Sequence, residues 1–135
     1  MARILVVDDR PISLKHLANT ARASAAEVVT AESAKDALKK IGEGSFDVIV
    51  TDLRMETHEA GLQVLKAAKE TDRYTQVIVI TAYGAPAITL EAMRNAAFDV
   101  LERNSPGVDI FDLLERKIAV ALQFRNEKLK EAGLQ

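Results

Sequence analysis

At 135 residues and a formal charge of -2, the chain has the size of one compact domain and no basic face that would favour direct contact with nucleic acid. It contains no cysteine, which excludes a disulfide framework or a thiolate metal site and suits a reducing compartment. The start, Met1-Ala2-Arg3 running at once into apolar residues and two acids, is no signal peptide, and no apolar run reaches membrane-spanning length, so a cytoplasmic setting away from membranes is expected.

Arg3-Ile4-Leu5-Val6-Val7 reads as a first strand that stops on Asp8-Asp9. Pro11 then suits the first turn of a helix whose apolar face is Ile12, Leu14, Leu17, Ala18 and Ala21, reaching about Ser24. A short strand over Glu27 to Thr30 follows. Ser33 caps a second helix, with Asp36 three residues on as in a capping box. Ala34, Ala37, Leu38 and Ile41 face inward until Gly42 and Gly44 end that helix. The third strand, Val48 to Thr51, stops on Asp52. Leu53 to Ala60 lacks periodicity and reads as a loop before a helix carrying Leu62, Val64, Leu65 and Ala68. Val77 to Ile80 is a fourth strand ending on Thr81, a helix runs from about Ala85 to Asn95, and Phe98 to Leu101 is a short fifth strand. Ser105-Pro106 offers an N-cap and first-turn pair for a last helix, beginning near Pro106 or Gly107 and reaching about Ala132. Its apolar side uses Phe111, Leu114, Ile118, Ala121 and Leu122. Met55 and Met93 are most simply packing residues, and His16 and His58, in unrelated segments, read as surface histidines.

Strands alternating with helices are the pattern of repeated βαβ units. The fold class is therefore α/β, a doubly wound five-stranded parallel sheet of order 2-1-3-4-5 in a flavodoxin-like, three-layer arrangement. The three continuous Val/Ile-rich runs suit central strands covered on both faces, and the two short mixed strands suit the edges. Open sheets of this kind bind ligands just beyond the carboxyl ends of their strands. Asp8, Asp9 and Asp52 converge there, and three like charges repel unless a cation sits among them. The pattern points to a hard-metal site beside an aspartate able to accept a phosphoryl group.

Val6-Val7-Asp8-Asp9-Arg10-Pro11 and Asp47-Val48-Ile49-Val50-Thr51-Asp52-Leu53-Arg54-Met55, followed by Gly61, Thr81-Ala82 and Ala96 to Arg103, stand in a telling order. Together they resemble the receiver domain of two-component response regulators over nearly the whole chain. The resemblance implies that Asp52 is the phosphoacceptor, charged by a histidine kinase or phosphotransfer protein. It implies a Mg2+ site made by Asp8, Asp9, Asp52 and the backbone carbonyl of Arg54. Thr81 would offer its hydroxyl to the phosphate, and Ala82 would leave room for it and donate a backbone N–H. Arg54 and Tyr83 resemble positions that tune phosphate lifetime, and read equally well as solvated loop residues. The protein would be no enzyme beyond self-catalysed transfer to, and hydrolysis from, Asp52. Residues 1–123 would be the receiver and 124–135 a polar C-terminal helical extension or linker. That extension reads most simply as a solvated helix end, and otherwise as a helix leading to an output domain or pairing with a second copy.

The departures from the family gather near the fifth strand, where Ala96-Ala97-Phe98-Asp99-Val100-Leu101-Glu102-Arg103-Asn104 stands for the usual Gly-Ala-x-Asp-Tyr-Leu-x-Lys-Pro. Arg103 takes the place of the phosphate-contacting lysine, keeping the charge on a larger planar fork. Val100 replaces an aromatic, and Asn104 replaces a proline that supports a cis bond, so a remodelled loop is expected. Gly61 comes one residue late and Glu56 replaces a common proline, so an altered loop after Asp52 is expected too. An alternative function is a phosphorylation-independent interaction adaptor, for which Arg103 should swing to solvent and the loop from Asn104 to Pro106 should follow an all-trans path. A phosphohydrolase with an aspartate nucleophile would want a second carboxylate where Arg54 stands. Dinucleotide binding fails because no Gly-x-Gly-x-x-Gly follows the first strand.

Overall fold

A computed structural model describes residues 1–24, 26–82 and 86–134. In chain order the elements are β1 (Arg3–Val7), α1 (Pro11–Arg22), β2 (Glu27–Ala31), α2 (Ala34–Glu43) and β3 (Val48–Asp52). They continue with α3 (Ala60–Thr71), β4 (Gln76–Thr81), α4 (Pro86–Arg94), β5 (Asp99–Glu102) and α5 (Ile110–Glu131). The five strands make one sheet of order β2-β1-β3-β4-β5, parallel at every pairing.

The side-chain period of two divides the central strands between two cores. Leu5, Val7, Ile49, Val77 and Val79 pack on one face with Ala37 and Ile41 of α2, Val64 and Leu65 of α3 and Ala92 of α4. Ile4, Val6, Val48, Val50, Ile78 and Ile80 pack on the other with Leu14 and Leu17 of α1 and Leu114 and Ile118 of α5. Covered on both faces, these strands need the unbroken apolar runs that the sequence carries.

Helix edges show where periodicity misleads. In α1 the buried stripe is Leu14, Leu17, Ala18 and Ala21. Ile12, two residues before that stripe and so on the opposite side of the helix, is 74% exposed. Leu38 sits one place past Ala37 and is 40% exposed, because the α2 stripe is Ala34, Ala37 and Ile41. Met55 packs against the core, whereas Met93 on α4 is exposed. Ser33 caps α2 as expected, its side chain accepting from the Asp36 amide. Gly42 lies inside the last turn of that helix, and Gly44 is its C-cap.

The expected Ser105-Pro106 cap does not form. Ser105 instead accepts from the Val108 amide in a turn, and Gly107 adopts a positive φ of 74° that no helix can continue. Helix α5 starts only after this turn, with Asp109 accepting from the amides of Phe111 and Asp112. At its far end Arg125 turns back onto the domain, pairing with Asp47 at 2.7 Å and Asp72 at 3.8 Å. No helix is long and apolar enough to cross a membrane among the described residues.

Candidate functional site

Strand register assembles the site. Val7 pairs with Thr51, so the next residues, Asp8 and Asp52, leave β1 and β3 side by side. Thr81 pairs with Glu102, and the Arg103 amide donates to the Thr81 carbonyl at 2.7 Å, which brings β5 to the same carboxyl edge. Asp8, Asp9 and Asp52 place one ligand oxygen each within 4.8 Å of one another. Asp8 is fully buried and Asp52 is 7% exposed, while Asp9 faces solvent. Oxygen donors at this spacing, two of them removed from water, suit a small hard cation.

Arg103 points into the acids. Its side chain is 13% exposed, with Nη2 at 3.4 Å from Asp8 Oδ2 and 3.5 Å from Asp52 Oδ1. Its Nη1 donates to Ser13 Oγ at 3.0 Å, and Ser13 Oγ in turn donates to Asp8 Oδ2. Its Nε is buried with no hydrogen-bond partner among the described residues. The loop that follows carries no cis peptide, as Asn104 in place of proline predicts.

Arg10 stands at the open side. Its amide donates to Asp8 Oδ1 at 3.0 Å, and its half-exposed guanidinium lies 3.5 Å from Asp8 and 3.8 Å from Asp52. Asp9, Arg10, Asp52, Arg54 and Ala82 line one cleft of about 290 Å³, ample for a phosphoryl group. Thr81 is buried at the end of β4. Arg54 is exposed, its Nη2 at 2.6 Å from His58 Nδ1, and Tyr83 lies outside the described residues. Burial and the neighbouring Asp8 carboxylate push the Asp52 carboxyl up from 3.8 to about 6, against the pull of Arg103 and Arg10.

Two features hold the loop after Asp52 in place. A Cβ on Gly61 would lie 2.5 Å from the Asp52 carbonyl oxygen and 2.8 Å from Leu53 Cα, so only glycine lets α3 start this close to the strand end. Glu56 then reaches across the sheet edge, its two carboxylate oxygens accepting from the amides of Ala34 at 2.9 Å and Lys35 at 3.1 Å. It caps the first turn of α2 together with Ser33. The contribution of Ser13, Arg10 and Glu56 does not follow from sequence periodicity; Ser13 sits in the first turn of α1, the end that faces the acids.

A family model described as the response regulator receiver domain matches residues 4–115. The chain belongs to this family. The receiver is 31% identical over 130 residues to the response regulator protein PilR of Pseudomonas aeruginosa, a match covering 96% of this chain and 28% of that protein. It is 26% identical over 131 residues to the transcriptional regulatory protein GlrR of Escherichia coli, covering 97% and 29%. The receiver thus spans about three tenths of the length of these curated relatives. Among solved structures it resembles a receiver domain protein from Clostridium thermocellum, with a TM-score of 0.81 and 28% identity over 93% of this chain and 98% of that one. It also resembles TrrA of Thermotoga maritima, solved with Mg2+ and beryllium fluoride, with a TM-score of 0.74 and 29% identity over 90% and 100% of the two chains.

Proposed function

We propose that this receiver accepts a phosphoryl group on Asp52 from a phosphohistidine of a histidine kinase or phosphotransfer protein, with Mg2+ held by Asp8, Asp9, Asp52 and the Arg54 carbonyl. The observation that carries this reading is the convergence of three carboxylates within 4.8 Å with the Arg103 guanidinium turned onto two of them. An Asp52 oxygen attacks phosphorus as the bond to the donor nitrogen breaks, and the bonding pair stays on the donor imidazole. Charge then grows on the phosphoryl oxygens. The Arg103 guanidinium, turned onto Asp8 and Asp52, would meet it with a planar fork of N–H donors. Thr81 at the end of β4 would supply a hydroxyl, and Ala82 in the cleft wall keeps the approach open. Mg2+, when bound, would offset the repulsion of the carboxylates and the phosphoryl charge.

The alternative of a phosphorylation-independent adaptor expects Arg103 in solvent and an all-trans loop from Asn104 to Pro106; the loop carries no cis bond, which agrees with it, but the inward placement of Arg103 speaks against it. The complex of TrrA with Mg2+ and beryllium fluoride supports a metal and a phosphoryl mimic in this kind of site. The naming of PilR and GlrR as regulators supports a role in relaying a signal to an output domain, in a cytoplasmic setting. Acetyl phosphate with Mg2+ tests the reading: intact mass should rise by one phosphoryl group in the wild type and not in Asp52→Asn or with chelator. A label retained by Asp52→Asn would overturn it.

A further inference from the structure

The amino-terminal rim of the sheet, opposite the acids, carries a second cavity of about 410 Å³ between the end of α3, the start of β4, the turn before β5 and α5. Three cations line it, Lys69, Arg73 and Lys128, the last also paired with Glu131 at 3.3 Å on the solvent side, and none of the lining residues is acidic, in a chain whose net charge is -2. Lys69 is the telling one. Its half-buried ammonium donates to the carbonyls of Arg73 at 2.6 Å and Thr75 at 2.9 Å, and no carboxylate lies within ion-pair distance of it among the described residues, Asp72 acting on it only from farther off. Burial pulls its pKa down, and one of its three N–H donors is left over.

Aromatic faces stand beside these charges. The Phe98 and Phe124 rings lie 5.7 Å apart and tilted by 57°. Lys128 Nζ is 5.3 Å from the Phe124 ring, and the Arg73 guanidinium is 5.4 Å from the Tyr74 ring. The wall also contains strained backbone. Ala96 is the one non-glycine residue with a positive φ, 66°, among the described residues. It ends α4 in a Schellman turn, with its amide donating to Met93 and the Ala97 amide to Ala92. Glycine is the residue such a position favours, and strain of this kind gathers at binding sites.

We propose that this cavity binds an organic anion joining a flat aromatic ring to a carboxylate or phosphate, with the ring against Phe98 and Phe124 and the anionic group at Lys69 and Lys128. The site lies at the opposite ends of the strands from Asp52, and its occupancy does not depend on phosphorylation. Amide NMR spectra of the whole chain, titrated with 4-hydroxybenzoate, AMP and inorganic phosphate, test it. Saturable shifts are expected around residues 74–76 and 96–98 for at least one ring-bearing probe, binding at least about tenfold more tightly than inorganic phosphate. Saturation by 4-hydroxybenzoate alone would name an aromatic carboxylate, and by AMP alone a nucleotide. Lys69→Gln, and separately the exposed Lys128→Gln, should weaken that binding about tenfold, while Ala96→Gly should raise Tm and weaken binding. Shifts that fail to saturate by about 10 mM for both ring-bearing probes, inorganic phosphate binding as tightly as they do, or an affinity unchanged in both lysine variants would overturn the proposal.

Discussion

Asp52 carries two opposed requirements. As the proposed nucleophile it must be ionised, yet it is buried beside Asp8, and its carboxyl is raised to about 6. Because the folded state holds the proton more tightly than the unfolded chain does, stability without metal falls as pH rises from about 4 to 6 and stays reduced above that. The two-unit displacement corresponds to roughly 3 kcal/mol at most. Asp52→Asn should therefore stabilise the metal-free domain at pH 7.5 by up to about 3 kcal/mol, and by close to nothing at pH 4. Urea unfolding at the two pH values in chelator measures it, and an equal effect at both would contradict the burial account. The acids themselves were readable from sequence because each ends an apolar strand. Ser13 and Arg10 were not, since their part depends on how the first turn of α1 meets the strand ends, which no local pattern encodes.

At the scale of elements, the loop after β3 is tied to α2 by Glu56. Burial pushes its carboxyl up, but hydrogen bonds from the amides of Ala34, of Glu56 itself and of Lys35 more than reverse this and hold it below its ordinary 4.5. That stabilisation is present above the ordinary value and is lost as pH falls through the depressed one. Glu56→Ala should cost about 1 kcal/mol, the usual worth of a helix cap, and, if the Arg54 carbonyl is a Mg2+ ligand as proposed, should weaken Mg2+ affinity by loosening it. Calorimetric Mg2+ titration checks the second effect; an unchanged affinity would leave Glu56 with a role in stability alone. Glu56 stands out in the sequence only as a departure from a proline, and its partners are 21 and 22 residues away, beyond any helical or strand period. Apolar character alone misleads in a different way at Ile12, which lies on the opposite side of α1 from its buried stripe, and at Leu38, which lies just beside the buried stripe of α2. Helix α5 starts late because Gly107 in a left-handed turn outweighed the cap signal of Ser105-Pro106.

For the molecule as a whole, continuous Val/Ile runs marked the central strands and placed the acids at one edge, and the resemblance to receiver domains carried the strand order, so the architecture was legible almost entirely. The extent of the folded unit was less so. α5 continues through Glu131, as expected of a helix reaching about Ala132, but within the polar run that reads as solvated the Arg125 side chain is 16% exposed against Asp47 and Asp72. Truncation after residue 123 should lower stability by about 1–3 kcal/mol, the range for losing a hydrogen-bonded charged group, with Arg125→Ala reproducing most of the loss in a thermal melt. A truncated chain as stable as the full one would support a receiver that ends at residue 123.

The central claim is that Asp52 and Arg103 still work together as a phosphoryl site although the lysine and proline of the family pattern are gone. Its most direct measurement is the initial rate of Mg2+-dependent phosphorylation from acetyl phosphate for the wild type, Arg103→Lys and Arg103→Ala, with the labelled residue located by peptide mass. The account predicts label on Asp52 in all three, Arg103→Lys at or above the wild-type rate, and Arg103→Ala about tenfold or more slower. Equal rates across the three, or label on a residue other than Asp52, would contradict it.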